Sequence, residues 1–216
     1  MAHHVFVAGG TGYLGRHVLP VLLARGHRVH ALARRGSEAK VTLGCEPVVG
    51  NPFDRGTFTH RIAPADTFLQ LVGVPHPSPA KARQFIDIDL RSALESIAAA
   101  KESGIAHFVY VSVAQPAPIM RAYQHARHEA ERALGASGLP RTIVRPWYVL
   151  GPGYRWPYLI VPMYWVLERL PSTREAARRL GLVTVSQMVN ALVDAIEHPP
   201  ETERILEVPE IRRATL

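Results

Sequence analysis

Cysteine is nearly missing from this chain. Cys45 is the one thiol in 216 residues, which excludes an internal disulfide and suits a reducing, cytoplasmic setting. Long apolar runs are missing too. No stretch approaches the ~20 uninterrupted apolar residues that a spanning helix needs. The first apolar segment, Val5 to Ala8, is too short for a secretory leader and runs into glycines rather than a cleavage site. The net charge of +7 comes from 25 Lys and Arg against 18 Asp and Glu, scattered as pairs such as Arg34-Arg35, Arg178-Arg179 and Arg212-Arg213. There is no basic run interleaved with aromatics, which speaks against nucleic acid as a partner. A phosphorylated small molecule explains part of the basic bias at least as well. The 11 histidines come without an H-E-x-x-H pattern or a cysteine cluster. No metal site is therefore expected, and His125 and His128 read as solvated surface. No G-x-S-x-G elbow marks a hydrolase triad.

What is present is a regular alternation of apolar strands and amphipathic helices, in a chain whose 47% hydrophobic content supports a full core. Strands are expected at 5–8, 28–34, 46–50, 66–73, 107–113, 141–146 and 204–208, and helices at 13–24, 80–103, 119–136 and 186–197. The first helix should turn Leu14, Val18, Val21 and Leu22 inward. Strands that alternate with helices form a parallel sheet covered on both faces, so the fold class is α/β, a doubly wound parallel sheet of the Rossmann type. The chain reads as one domain over 1–216, with about 151–185 as a small substrate-side or interface segment.

The turn after the first strand carries three glycines spaced by threes, Gly9, Gly12 and Gly15, between a strand and a helix. Gly9 permits the sharp turn, Gly12 lets a pyrophosphate approach bare backbone, and Gly15 lets the helix pack closely on the sheet. Thr11, Tyr13 and Leu14 complete the expected contact set, because the opening of the helix offers free N–H groups and a positive dipole end. The second strand then decides which dinucleotide is expected. A free ribose 2′-hydroxyl is usually held there by Asp or Glu. This chain offers Arg34 and Arg35 and no acid before Glu38. Paired guanidinium hydrogen bonds suit a 2′-phosphate, so NADP(H) is expected over NAD(H), with a solvated surface pair as the rival reading.

Five stretches, "GGTGYLG" (9–15), "GNPFD" (50–54), "VYVSVAQP" (109–116), "YQHAR" (123–127) and "RPWYVLGPG" (145–153), resemble the short-chain dehydrogenase/reductase superfamily. The resemblance covers nearly the whole chain. It points to the superfamily's extended and atypical NAD(P)-binding branch, which includes epimerase/dehydratase-like and NmrA-like proteins. It implies that Asn51 and Pro52 lie near the adenine, that Leu71, Val72 and Gly73 pass beside the ribose, and that Pro146 and Trp147 meet the nicotinamide end. It also implies a catalytic set. Ser112 would orient the substrate, Tyr123 would be the acid–base group, and position 127 would support the tyrosine and contact the ribose. The family usually has lysine at that last position; here it is Arg127. The charge remains, but the planar fork is bulkier than an ammonium and cannot occupy the same point. Asp89 stands near a position where many relatives have asparagine.

Tyr154 to Leu170 concentrates aromatic residues around Pro157 and Pro162, and the prolines argue against a membrane span. Its readings are a substrate pocket lining, a homo-oligomer interface, a membrane-surface contact, or simple closure of the core. The roughly sixty residues after Gly153 are too few for the larger substrate domain of nucleotide-sugar epimerases. The expected function is therefore an NADP(H)-dependent oxidoreductase acting on a small apolar carbonyl or alcohol. The alternative is an NADP(H)-binding redox sensor or scaffold without turnover.

Overall fold

The computed structural model describes residues 2–152, Glu175 and residues 179–216. The aromatic stretch at 154–170 and most of the expected 151–185 segment lie outside the described residues.

Seven parallel strands form the main sheet: β1 (His4–Ala8), β2 (Arg28–Ala33), β3 (Glu46–Val49), β4 (Thr67–Gln70), β5 (His107–Val111), β6 (Arg141–Val144) and, late in the chain, β9 (Glu203–Leu206). Their order across the sheet is β3-β2-β1-β4-β5-β6-β9, so the direction of winding reverses between β1 and β4. A second small sheet pairs β7 (Tyr148–Leu150) with β8 (Leu182–Thr184).

Alternation along each strand assigns its side chains to two layers. Val5, Val7, Val109 and Val111 face α1 (Tyr13–Ala24) and α5 (Val185–Glu197). Phe6, Phe68, Phe108 and Tyr110 face α3 (Arg91–Glu102) and α4 (Arg121–Ser137). Because Phe6 pairs in register with Phe68, and Phe68 with Phe108, the rings form a row. The last two stack with centroids 5.1 Å apart. On α1 the buried residues are Gly15, Val18, Leu19 and Leu22. Leu14 and Val21, expected inward, are only partly buried at the edge of this layer.

Several elements differ from the sequence expectation. The helix expected over 80–103 is broken into a 3-10 turn (Pro79–Lys81), a short α2 (Ala82–Gln84), a π-helical stretch (Phe85–Leu90) and α3. Wide π turns of this kind are frequent at functional sites. The short β7 and β8 strands and α6 (Val208–Arg213) carry too few residues to show a period in sequence. Several strands also end earlier than expected. The fourth pairs only to Gln70, after which Leu71 donates one last N–H to Ala8 O at 2.8 Å and the chain leaves the ladder.

Candidate functional site

Every strand of the main sheet runs the same way, so residues that follow the strand ends share one edge. Gly9 to Gly15 follow β1, Arg34 and Arg35 follow β2, and Asn51 and Pro52 follow β3. Leu71 to Gly73 follow β4, Ser112 follows β5, and Pro146 and Trp147 follow β6. The structure therefore gathers the expected residues along the carboxyl edge, centred on the switch between β1 and β4, where open α/β sheets place their ligands.

Packing forces glycine at two positions of the turn, Gly9 and Gly15. Gly9 has φ +91, and a Cβ there would sit 2.8 Å from the Leu71 carbonyl carbon and the Val72 nitrogen. A Cβ on Gly15 would fall onto the Gly10 backbone. The turn closes with Gly12 N–H donating to Gly9 O at 3.0 Å. No side chain caps α1 and no acid lies in its first turn. Intrahelical bonding begins with Arg16 N–H donating to Gly12 O, so the amides of Tyr13, Leu14 and Gly15 lie ahead of the helical ladder. An uncapped, unneutralised helix start behind a bare glycine fits a diphosphate.

Beyond β2, Arg34 and Arg35 are exposed in a turn held by Ser37 N–H donating to Arg34 O at 2.8 Å. Neither guanidinium has a carboxylate partner among the described residues. On the far side of β3, a cleft of about 710 Å³ is lined by Asn51, Phe53, Asp54, Arg55, Arg91 and Glu95, among others. It shares only Asn51 with the expected contact set, and none of the glycine-turn residues lines it. Leu71 packs into one layer and Val72 into the other, so the two brace the β4 exit. Pro146 is buried and accepts from Ala114 N–H at 2.9 Å, and Trp147 packs against the α1 layer.

Ser112 has the same parity as Phe108 and Tyr110, so its side chain faces the α4 layer. It is 2% exposed, and its hydroxyl is buried without a hydrogen-bond partner among the described residues. A buried hydroxyl in that state is costly unless something else completes it. Tyr123, half-buried, and Arg127, buried, lie one turn apart on α4. The Arg127 guanidinium carbon is 5.2 Å from the Tyr123 ring centroid, within cation–π range.

Sequence reasoning noted Arg127 and Asp89 as two separate departures from the family pattern; the structure joins them. Arg127 Nη2 donates to Asp89 Oδ1 at 2.6 Å, and Nη1 donates to Val111 O at 2.8 Å and to the Tyr110 hydroxyl at 3.4 Å. Asp89 is fully buried, and its Oδ2 accepts the Val74 N–H at 3.1 Å. Burial alone would lower the Arg127 pKa, but Tyr123, Tyr110 and Asp89 more than compensate, so it is raised and the guanidinium stays charged. Burial pushes the Asp89 carboxyl up, against the pull of Arg127 and the Val74 amide, and burial pushes the Tyr110 phenol up to about 12. The signal in the sequence was the complementary charge of the two departures. A second pair that sequence reasoning missed lies further along α4, where Arg145 forks onto Glu131 at 3.0 and 2.6 Å. His125 and His128 are exposed. Among the described residues no three His, Cys, Asp or Glu side chains gather as a metal site, and no helix is long and apolar enough to cross a membrane.

Residues 9–153 match a family model described as NAD(P)H-binding. The chain is 32% identical over 157 residues to the chloroplastic divinyl chlorophyllide a 8-vinyl-reductase of Oryza sativa subsp. indica. That alignment covers 66% of this chain and 39% of the relative. It is 27% identical over 168 residues to a 4-hydroxy-2-methyl-3-oxo-4-farnesyl-3,4-dihydroquinoline-1-oxide ketoreductase of Stigmatella aurantiaca, covering 68% of this chain and 50% of the relative. The chain thus spans half or less of these curated relatives. Among solved structures, the Bordetella bronchiseptica enzyme WbmH in complex with NAD+ superposes with a TM-score of 0.69 at 18% identity, covering 95% of this chain and 75% of that one. At that identity the likeness establishes the fold.

Proposed function

The chain belongs to the NAD(P)H-binding family, and from that premise we propose that it is an NADP(H)-dependent oxidoreductase of the extended and atypical branch of the short-chain dehydrogenase/reductase superfamily. Its substrate is a small apolar carbonyl or alcohol. The nicotinamide supplies or receives the hydride when bound. The chain's own residues do the rest. The opening amides of α1, from Tyr13 to Gly15, hold the diphosphate, and the exposed guanidinium groups of Arg34 and Arg35 hold the 2′-phosphate. Asn51 and Pro52 flank the adenine, and Leu71 to Gly73 flank the ribose. Ser112 donates to the substrate oxygen, and Tyr123 passes a proton to it or takes one from it. The buried charge of Arg127 favours the phenolate that this exchange requires. Any ribose contact by Arg127 uses the donors that Asp89, Val111 and Tyr110 leave over.

The observation that carries this reading is the buried Ser112 hydroxyl, unpartnered among the described residues, at the carboxyl end of β5 on the face that α4 covers. A core serine with a structural task would be bonded to its neighbours. The names of both curated relatives describe reductases, one of them acting on a farnesyl-bearing ring system, which supports reduction of an apolar substrate. The single cysteine favours action in the cytoplasm. The decisive variant is Tyr123→Phe. Turnover is expected to fall by ~10²-fold or more, while NADPH affinity stays within a small factor. Undiminished turnover in Tyr123→Phe removes the mechanism.

One observation favours the second reading, a redox sensor that binds NADP(H) without turning it over: Arg127 is already bonded to Asp89 and Val111. Rapid mixing of the NADPH-loaded protein with carbonyl substrates separates the two, since a sensor retains its nicotinamide absorbance with all of them.

A further inference from the structure

Asp89 and Arg127 stand 38 residues apart and meet at the junction of the β4 exit, the β5 exit, the π-helical stretch and α4. Only a carboxylate suits position 89 while arginine stands at 127. Two donors converge there, the Val74 N–H on Oδ2 and Arg127 Nη2 on Oδ1. An asparagine amide has one acceptor oxygen and would turn its NH2 group against one of those donors. The guanidinium is equally specific, because its fork spans Asp89 on one arm and the Val111 carbonyl on the other. An ammonium is a single point and cannot span both. Gly73 leaves the space for this arrangement: a Cβ there would fall onto Arg127 Nη2 and lie 3.1 Å from Asp89 Oδ1. The π-helical stretch also supplies Phe85, whose ring packs on Tyr123 with centroids 4.9 Å apart. Its end is anchored to β4, since the Asp89 carbonyl accepts from Ser92 Oγ at 3.2 Å and Ser92 Oγ accepts from the Gln70 amide at 3.2 Å.

We propose that Asp89 is a positioning residue: it fixes the Arg127 guanidinium against the Tyr123 ring, and the two side chains act as one coupled unit. The inference rests on the reading of Tyr123 as the acid–base group. Asp89 neither gains nor loses the transferred proton, which moves between Tyr123 Oη and the substrate oxygen. Its task is to keep one cation at one distance from that phenol.

The test compares the unmutated protein with Asp89→Asn, Arg127→Lys and the double variant. Three readouts are taken: fluorine NMR of a fluorotyrosine placed at position 123, NADPH affinity by calorimetry, and the single-turnover hydride step. Each single variant is expected to shift the fluorine resonance and slow the hydride step by ~10-fold or more. The double variant is expected to lose less than the product of the two singles, because both changes remove the same shared contact. NADPH affinity in Asp89→Asn stays within ~3-fold, because Asp89 does not touch the glycine turn. The proposal is overturned if Asp89→Asn leaves resonance and rate unchanged, if the double variant is no better than the product of the singles, or if NADPH affinity in Asp89→Asn falls in step with the rate. Should Asp89→Asn not fold, Asp89→Glu takes its place; it keeps both acceptors but displaces them, and it must slow the hydride step while melting close to the unmutated chain. If the unmutated protein turns over no substrate, the oxidoreductase reading falls alone. The fluorine resonances then still decide whether Asp89 positions Tyr123.

Discussion

Replacing Gly73 by alanine perturbs the buried ion pair without altering any charge. Gly73 does not have a positive φ, so alanine suffers no backbone strain there and the effect is steric. The new methyl would land on Arg127 Nη2. The guanidinium cannot retreat freely, because its other arm is bonded to Val111 O at 2.8 Å and the whole side chain is 5% exposed. The bond that breaks is the one to Asp89, 2.6 Å long in the unmutated chain. A hydrogen bond to a charged group contributes about 1.5–3 kcal/mol. In a chain of this size each kcal/mol moves the melting midpoint by about 2–4 °C, so breaking one such bond corresponds to a fall of ~3–12 °C. Calorimetric melts of the purified variant and the unmutated chain measure it. A variant that melts within ~1 °C of the parent would show that the pair tolerates displacement, and the tight packing argued for this corner would be wrong.

Other predictions concern the cofactor and acid stability. Arg34→Glu is expected to narrow or reverse a preference for NADPH over NADH, measured as the ratio of the two dissociation constants. An unchanged ratio would discard the role given to Arg34. Burial of His107, whose Nε2 lies 3.0 Å from Thr142 Oγ1, depresses its pKa to about 4. Below its ordinary 6.5 the unfolded chain takes a proton that the folded chain refuses. Stability is therefore full above pH 6.5 and declines as the pH falls toward 4, by about 3 kcal/mol at most. Urea midpoints between pH 7 and pH 4.5 should fall more steeply for the parent than for His107→Gln, and parallel curves would contradict this.

Local chemistry was the readable part of the sequence. The glycine turn was legible because strand, spaced glycines and helix lie within a few residues, and each glycine answers a contact with backbone. The parallel sheet was legible because apolar strands alternate with helices. Its carboxyl edge then placed Arg34, Asn51, Gly73, Ser112 and Trp147 together without further information. The Asp89–Arg127 pair was hidden because it joins elements distant in sequence, and no periodicity links them. The π-helical stretch was hidden for a related reason. Residues 80–103 have an ordinary helical pattern, and the widening accompanies contacts of Phe85 and Asp89 with α4. Short elements such as β7 and α6 are fixed by packing on the α1 layer, which no window of a few residues can reveal.

The central claim is that the uncapped start of α1 binds a nicotinamide dinucleotide, and titration calorimetry of the folded chain with NADPH and NADH tests it most directly. Saturable one-to-one binding is expected, tighter for NADPH, and it should be lost in Gly12→Asp, which sets a carboxylate where the diphosphate sits. Heat of dilution alone with both nucleotides would contradict it.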